Sequence, residues 1–408
     1  MDYYVSRQPV LDQQYRTVAY SLSLQSPEGI RNASANRETT ATVLARSLTE
    51  IGLHKLSSNK PIYISASSEF LENPDNIPPN LPPGALGLEV STHTTTGDKF
   101  LTSCRKLKEQ GHVLLLDGFS KSAVDSALLD LADIVVLDIH DGHLGERALD
   151  VHRASLSLMV RNVDTLEDHN RATGIGARYF QGYFFLQPQI IEGKKLPDSR
   201  LAIMHAMQKA TAADSIEDVE KVISQDMALS YRLLKYINSA AIGLPNRINS
   251  IQQALSLLGL NAIRQWLAML LLASLGDEKP PELVQSAVLR GRILEGMARL
   301  ESQARGADHF ILGLFSLLDT FLGQSLESIL EDVLLPDDIH EGLVNPESHL
   351  GRRLAIAKAM EKGNWTDVAT LCNAWDGWSL QCDDLLPVYI EALHWLNENS
   401  ELFGDAEA

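Results

Sequence analysis

Cysteine is scarce: Cys104, Cys372 and Cys382 are the three in 408 residues. An odd number without close metal-ligand spacing argues for reduced core or surface thiols over a disulfide framework, and suits a reducing compartment, so a cytoplasmic location is expected. Bases are also few, 35 Lys and Arg against 53 Asp and Glu, for a formal net charge of −18. A surface of that sign repels phosphate backbones; it argues against nucleic acid as a partner but leaves room for a local basic pocket. No apolar run approaches the roughly 18 residues of a membrane span, so no membrane association is expected. Met1-Asp2-Tyr3-Tyr4 lacks the basic-then-apolar opening of a secretory signal.

What is present is globular in kind, 45% hydrophobic and 22% charged, with length for two or three domains. The first half is organised around Gly111-His112-Val113-Leu114-Leu115-Leu116-Asp117-Gly118-Phe119. An apolar run bounded by glycines and closed by a carboxylate suits a strand buried on both faces, with Asp117 at its C-terminal mouth. Ile62–Ser65, Leu86–Val90, Ile134–Asp138, Leu156–Val160 and Tyr179–Phe185 are similar units. They recur roughly every 20 to 30 residues, the length of a strand, a helix and two loops. Tyr3–Asp12 and Thr17–Leu24 alternate as two extended segments joined by a turn, Glu38–Ile51 has helical spacing, and the prolines of Asn73–Gly84 predict a rigid loop. The expectation is a wound α/β barrel over 1–196, ending in the charged, breaker-rich Glu192–Asp198.

Beyond Ser199 the strand signals stop. Ser215 with Asp218 and Ser250 with Gln253 look like capping boxes opening helices. Gly276–Pro281 breaks the run, and helices resume near Glu282, Phe310, Leu326, His349, Thr366 and Leu385, so 197–404 reads as an all-α domain with a frayed tail at Gly404–Ala408.

The collinear order of several fragments resembles a bacterial signalling family that pairs an EAL domain with an HDOD domain. On the EAL side these are Gln8-Pro9-Val10-Leu11-Asp12, Val18–Gln25, Gly87-Leu88-Glu89-Val90, Leu116-Asp117-Gly118-Phe119 and Gln181-Gly182-Tyr183-Phe184-Phe185. On the HDOD side they are Gln225–Leu229, Leu234–Ala240 and Ile251–Gly259. The resemblance implies a (β/α)8-like EAL barrel followed by an all-helical HDOD domain, in a family whose active barrels hydrolyse cyclic-di-GMP with two divalent cations. Hard cations require several oxygen ligands. Position by position, the metal-binding glutamate of the E-x-L signature is Ser21 here, the phosphate-holding arginine Gln25, and the third-strand asparagine Ser65. The second aspartate of the paired motif is Gly118, the sixth-strand lysine Val136, and the seventh-strand glutamate Arg161; Glu89, Asp117 and Gln181 are kept.

These substitutions lead to the expectation of a non-enzyme: no catalytic set, no metal and no cofactor, with Arg161 standing in the vacated cation position and paired with Glu89 or Asp117. Glu89 and Asp117 have an alternative reading as satisfiers of loop amides, and Gln181-Gly182-Tyr183 as rim packing. In the helical half, His205, His309, His340, His349 and His394 are not followed by Asp. Asp308-His309 and Asp338-Ile339-His340-Glu341 read as exposed helix ends, and His140-Asp141 with His143 as polar loop. Trp365, Trp375, Trp378 and Trp395 crowd the C-terminal end, as core or as partner surface.

The function expected from the resemblance is a non-catalytic scaffold in cyclic-di-GMP-related control of motility or biofilm, binding signalling or regulatory proteins through the HDOD domain. The alternatives are a cyclic-di-GMP receptor that does not hydrolyse and, third, a residual phosphodiesterase. A homodimer through the barrel is compatible with the family.

Overall fold

The computed structural model describes residues 4–25, 57, 60–67, 71–72, 81–91, 97–119, 126–189, 215–225, 227–238, 247–276, 279–301, 306–332, 335–375 and 378–399. The expected helix at Glu38–Ile51, most of the proline loop, the Glu192–Asp198 boundary, His205, Ser239-Ala240 and the tail lie outside them.

Eight strands close a barrel in sequence order: β1 (Tyr4–Asp12), β2 (Thr17–Gln25), β3 (Ile62–Ser65), β4 (Leu86–Ser91), β5 (Val113–Asp117), β6 (Ile134–Asp138), β7 (Ser157–Arg161) and β8 (Tyr179–Gln181). Strands β2 to β8 run parallel, whereas β1 is antiparallel to both β2 and β8. Alternate residues face inward. Val10, Ala19, Tyr63, Leu115, Ile134, Val136 and Met159 fill the interior, as packed barrels require. Gly87 is needed there, because a Cβ at that position would lie 2.3 Å from the Tyr63 ring. Among the described residues, four helices follow strands: α1 (Asp98–Glu109), α2 (Ser126–Leu129), α3 (Leu144–Arg153) and α4 (Leu166–Gly174). Thr165 opens α4 with a reciprocal capping box to Asp168.

The strand expected over Tyr179–Phe185 stops at Gln181 and passes into a 3-10 turn, Phe184–Leu186. Gly182 causes this: at φ 150° its backbone presses on Val163, where a Cβ would stand 2.1 Å from the carbonyl oxygen.

The helical half contains α5 (Ile216–Ser224), α6 (Met227–Ile237), α7 (Ile251–Leu275), α8 (Pro281–Leu300), α9 (Gly306–Phe315), α10 (Leu318–Leu322), α11 (Leu326–Asp332), α12 (Asp337–Val344), α13 (His349–Glu361), α14 (Trp365–Ala374) and α15 (Cys382–Glu398). Ser215 and Ser250 cap α5 and α7 as expected, each accepting from the backbone three residues on. Helices α8 and α9 meet at paired glycines, Gly291 and Gly313, where a Cβ on Gly313 would come within 2.4 Å of the Gly291 nitrogen. Helix α7 has the length and composition of a membrane span, with a mean hydropathy of 1.5. It is also kinked at Gly259 (φ 75°), and Ile263, Leu267, Ala268 and Leu272 are fully buried within the protein.

The chain divides into two compact units, residues 1–187 with 359–397, and residues 188–358 with 398–408. The sequence assigns 359–397 to the helical domain. The structure instead packs this segment with the barrel.

All three cysteines are free and buried. Burial pushes the thiols of Cys104 and Cys372 up to about 11 and that of Cys382 to about 12. At pH 8 a thiol at 11 is about 0.1% thiolate, against roughly a quarter for a free cysteine at 8.5. Iodoacetamide at pH 8 is therefore expected to leave the native protein unlabelled over a period that fully alkylates it in urea, as read by intact mass.

Candidate functional site at the barrel mouth

Two residues toward the mouth from the packed layer, the inward positions become polar. In strand order they are Gln8, Ser21, Ser65, Glu89, Asp117, Asp138, Arg161 and Gln181. The strand registers align them: Gln8 lies opposite Ser21, Ser65 beside Glu89, and Asp138 beside Arg161.

Arg161 organises this ring. Its Nη1 donates to Glu89 Oε1 at 2.9 Å, its Nη2 donates to Asp117 Oδ1, and its Nε lies 4.0 Å from Asp138 Oδ2. Glu89 is 6% exposed, so its charge depends on a close partner. The pairing matches what charge reasoning expected. Three carboxylates therefore converge on one guanidinium. Asn162, with φ 60°, donates from Nδ2 to Asp138 Oδ2 at 2.7 Å and fixes the outermost of the three. Gln181 does not join the cluster. Its Nε2 donates to Gln8 Oε1 at 2.7 Å.

Gln8 and Asp138 were not singled out from the sequence. The signal that finds them is strand parity: each lies two residues from an interior position, Val10 and Val136. The rim reading of Gln181-Gly182-Tyr183 fits the geometry, since Tyr183 is 5% exposed and Gly182 abuts Val163.

A pair of divalent cations, as the resemblance implies, does not fit this donor set. Ser21 and Ser65 offer only neutral hydroxyls, Gly118 and Val136 offer no side-chain donor, and Arg161 engages Glu89 and Asp117. Among the described residues, no group of three or more His, Cys, Asp or Glu side chains is arranged to hold a metal.

The other sites noted in the sequence separate. His140, Asp141 and His143 form a turn in which Asp138 accepts from the His140 amide and Asp141 from the His143 amide. In the helical unit, Asp308, His309, Asp338, Glu341, Ser348 and His349 line a cavity of about 230 Å³. The reading of these residues as exposed helix ends is corrected for His309, which is 4% exposed. His340 remains exposed. Burial and the adjacent Arg353 hold His349 below the usual imidazole range. Of the tryptophans, Trp365 is fully buried, while Trp375 and Trp378 stack at 4.5 Å.

Comparison with known proteins follows this division. Residues 194–326 match the HDOD domain. The chain is 28% identical over 408 residues to the uncharacterized protein YuxH of Bacillus subtilis, covering 97% of this chain and 98% of YuxH. It is 27% identical over 412 residues to the cyclic di-GMP phosphodiesterase CdgJ of Vibrio cholerae, covering 98% of this chain and 93% of CdgJ. A solved EAL domain protein from Listeria monocytogenes aligns with 45% of this chain and 87% of its own, at 18% identity and a TM-score of 0.33. The expectation that the chain is not an enzyme is thereby corrected. Similarity running through both halves to a protein named a phosphodiesterase outweighs an inference drawn from substituted positions alone. The protein thus joins an eight-stranded barrel to a helical region carrying an HDOD domain, and its similarity to the cyclic di-GMP phosphodiesterase of Vibrio cholerae runs through both.

Proposed function

We propose that the chain is a cyclic-di-GMP signalling protein that receives the dinucleotide at the barrel mouth and meets protein partners through its HDOD domain. Arg161 carries the reading. A guanidinium has five N–H donors in a planar fork, and the bonds to Glu89 and Asp117 use two of them. The group is 22% exposed, and we assign to a phosphate the Nη hydrogens that Glu89 and Asp117 do not engage, since arginine geometry is suited to that ligand. Asp138, 37% exposed, offers the acceptor that the paired N–H groups of a guanine edge require. The relationship to CdgJ supports this choice of ligand. On the HDOD side, Met227 and Tyr231 stand one turn apart on α6 and are 88% and 68% exposed, which supports a protein-binding face.

Calorimetric titration of the full chain with cyclic-di-GMP tests the proposal. Saturable micromolar binding is expected, weakened about 100-fold, or roughly 2.7 kcal/mol, in Arg161→Ala, with GMP as the non-binding control. Appearance of the linear dinucleotide in the same mixtures with Mg2+ or Mn2+ establishes the ligand as substrate. No heat up to millimolar ligand would remove the proposal.

A further inference from the structure

Strand β1 is longer than the neighbour that closes the barrel against it. It spans nine residues, yet β8 pairs only with Val10, Leu11 and Asp12. On the side away from β2, Tyr4 to Pro9 would otherwise present an open edge, and open edges require cover. The outward backbone groups fall on alternate residues; the Arg7 carbonyl accepts from the Tyr183 hydroxyl at 3.5 Å, and two other groups find partners at the end of the chain. Val5 C=O accepts from Trp365 Nε1 at 3.2 Å, and Arg7 N–H donates to the Tyr389 hydroxyl at 3.3 Å. Pro9, next in the alternation, has no N–H to satisfy.

Side chains reinforce the seam. Tyr4 donates to Asp383 at 2.5 Å and packs its ring 5.1 Å from that of Trp365. Arg7 Nη1 donates to Asn397 at 3.4 Å. Gly363, left-handed at φ 67°, lets the α13–α14 turn touch β1, since a Cβ there would lie 1.9 Å from that of Ser6. The seam also reaches the mouth. Tyr183, two residues beyond Gln181, donates to the Glu361 carbonyl at 2.9 Å. Because β1 is antiparallel, its Tyr4 end rises past Gln8 on the same side as the C-terminal ends of the other strands.

We infer that residues 359–397 complete the rim of the barrel where β8 stops short, so that the HDOD-bearing unit, residues 188–358, is an insertion within the barrel unit. The same segment is a positioning element for the candidate site, acting through β1 and Tyr183. This second role rests on the proposed cyclic-di-GMP binding; the first does not.

Hydrogen exchange on the full-length protein separates the two. Tyr389→Phe removes one hydroxyl and Trp365→Ala removes the buried anchor. Without ligand, both are expected to speed exchange of the 4–9 amides by at least about ten-fold, while peptides of α8 stay unchanged. If β1 exchange is unaltered in both variants, or if α8 loosens equally, the rim assignment is wrong. In the wild type, cyclic-di-GMP should slow exchange over 4–9, and by linkage Trp365→Ala should abolish that protection and weaken binding about ten-fold. Equal affinity and equal protection in both variants overturn the positioning role. Absence of binding by the wild type removes the ligand reading and leaves the rim result standing.

Discussion

Arg161→Ala is expected to destabilise the barrel unit by about 2–4 kcal/mol, toward the lower part of the range for breaking a buried ion pair because the guanidinium is partly exposed. The cost comes from Glu89, which at 6% exposure would be left buried without its principal partner. Asp117 and Asp138, 25% and 37% exposed, recover water and contribute less. The double variant Arg161→Met with Glu89→Leu should return to within about 1 kcal/mol of wild type, since it removes the deeply buried charge together with its partner and leaves Asp117 and Asp138 to solvent. Urea unfolding followed by tryptophan emission measures both. Of the five tryptophans, Trp365, Trp375, Trp378 and Trp395 belong to the barrel unit. A double variant as weak as the single would show that packing around Arg161, and not its charge, holds the mouth together.

Gly182→Ala should be comparably severe. The new methyl would stand 2.1 Å from the Val163 carbonyl oxygen, 2.5 Å from its carbon and 2.7 Å from its nitrogen, and backbone cannot swing aside as a side chain can. A cost of roughly 3 kcal/mol or more is expected. For a unit of this size that lowers the Tm by about 6–12 °C. Gly142→Ala, with nothing within 4 Å and no left-handed φ, is the matched control and should melt with the wild type. Gly182 lies between Gln181 and Tyr183, so the same variant should weaken cyclic-di-GMP binding if the mouth reads that ligand. Melting within about 1 °C of the control would show that β8 and the Val163 turn can separate at little cost.

The barrel was legible because buried strands have a simple signature. Val113–Asp117 and Ile134–Asp138 are short apolar runs ending in a carboxylate, and both are strands with those limits. Arg161 was legible for a different reason: a permanent cation at a strand end among carboxylates has few places to go. Asp138 and Gln8 were not picked out, although parity places both on the inner face; neither carries a residue type that announces chemistry by itself. The end of β8 was misjudged because Phe184 and Phe185 continue the apolar pattern beyond the glycine that bends the chain. The role of the last helices was not legible at all. Amphipathic spacing in Cys382–Glu398 shows that one face is buried, but not which surface buries it. Trp365 and Tyr389 bond to Val5 and Arg7 across more than 350 positions, and no local pattern encodes that distance. Of the two readings of Trp365, core or partner surface, the structure has the first, and the core it enters belongs to the barrel unit.

The order in which this chain is made bears on the part of β1 that β8 does not cover. A ribosome that has released Gln187 has about 210 residues still to add before Asn397, on the order of 10 to 40 s of synthesis at bacterial-scale rates. For that interval the first strand has a bare flank, and the helical region between can fold to completion before the sheet is sealed. Early termination anywhere in the HDOD domain would therefore release a barrel with a sticky edge. Such fragments should be found with chaperones or in inclusion bodies, and not as a free-standing EAL-like module.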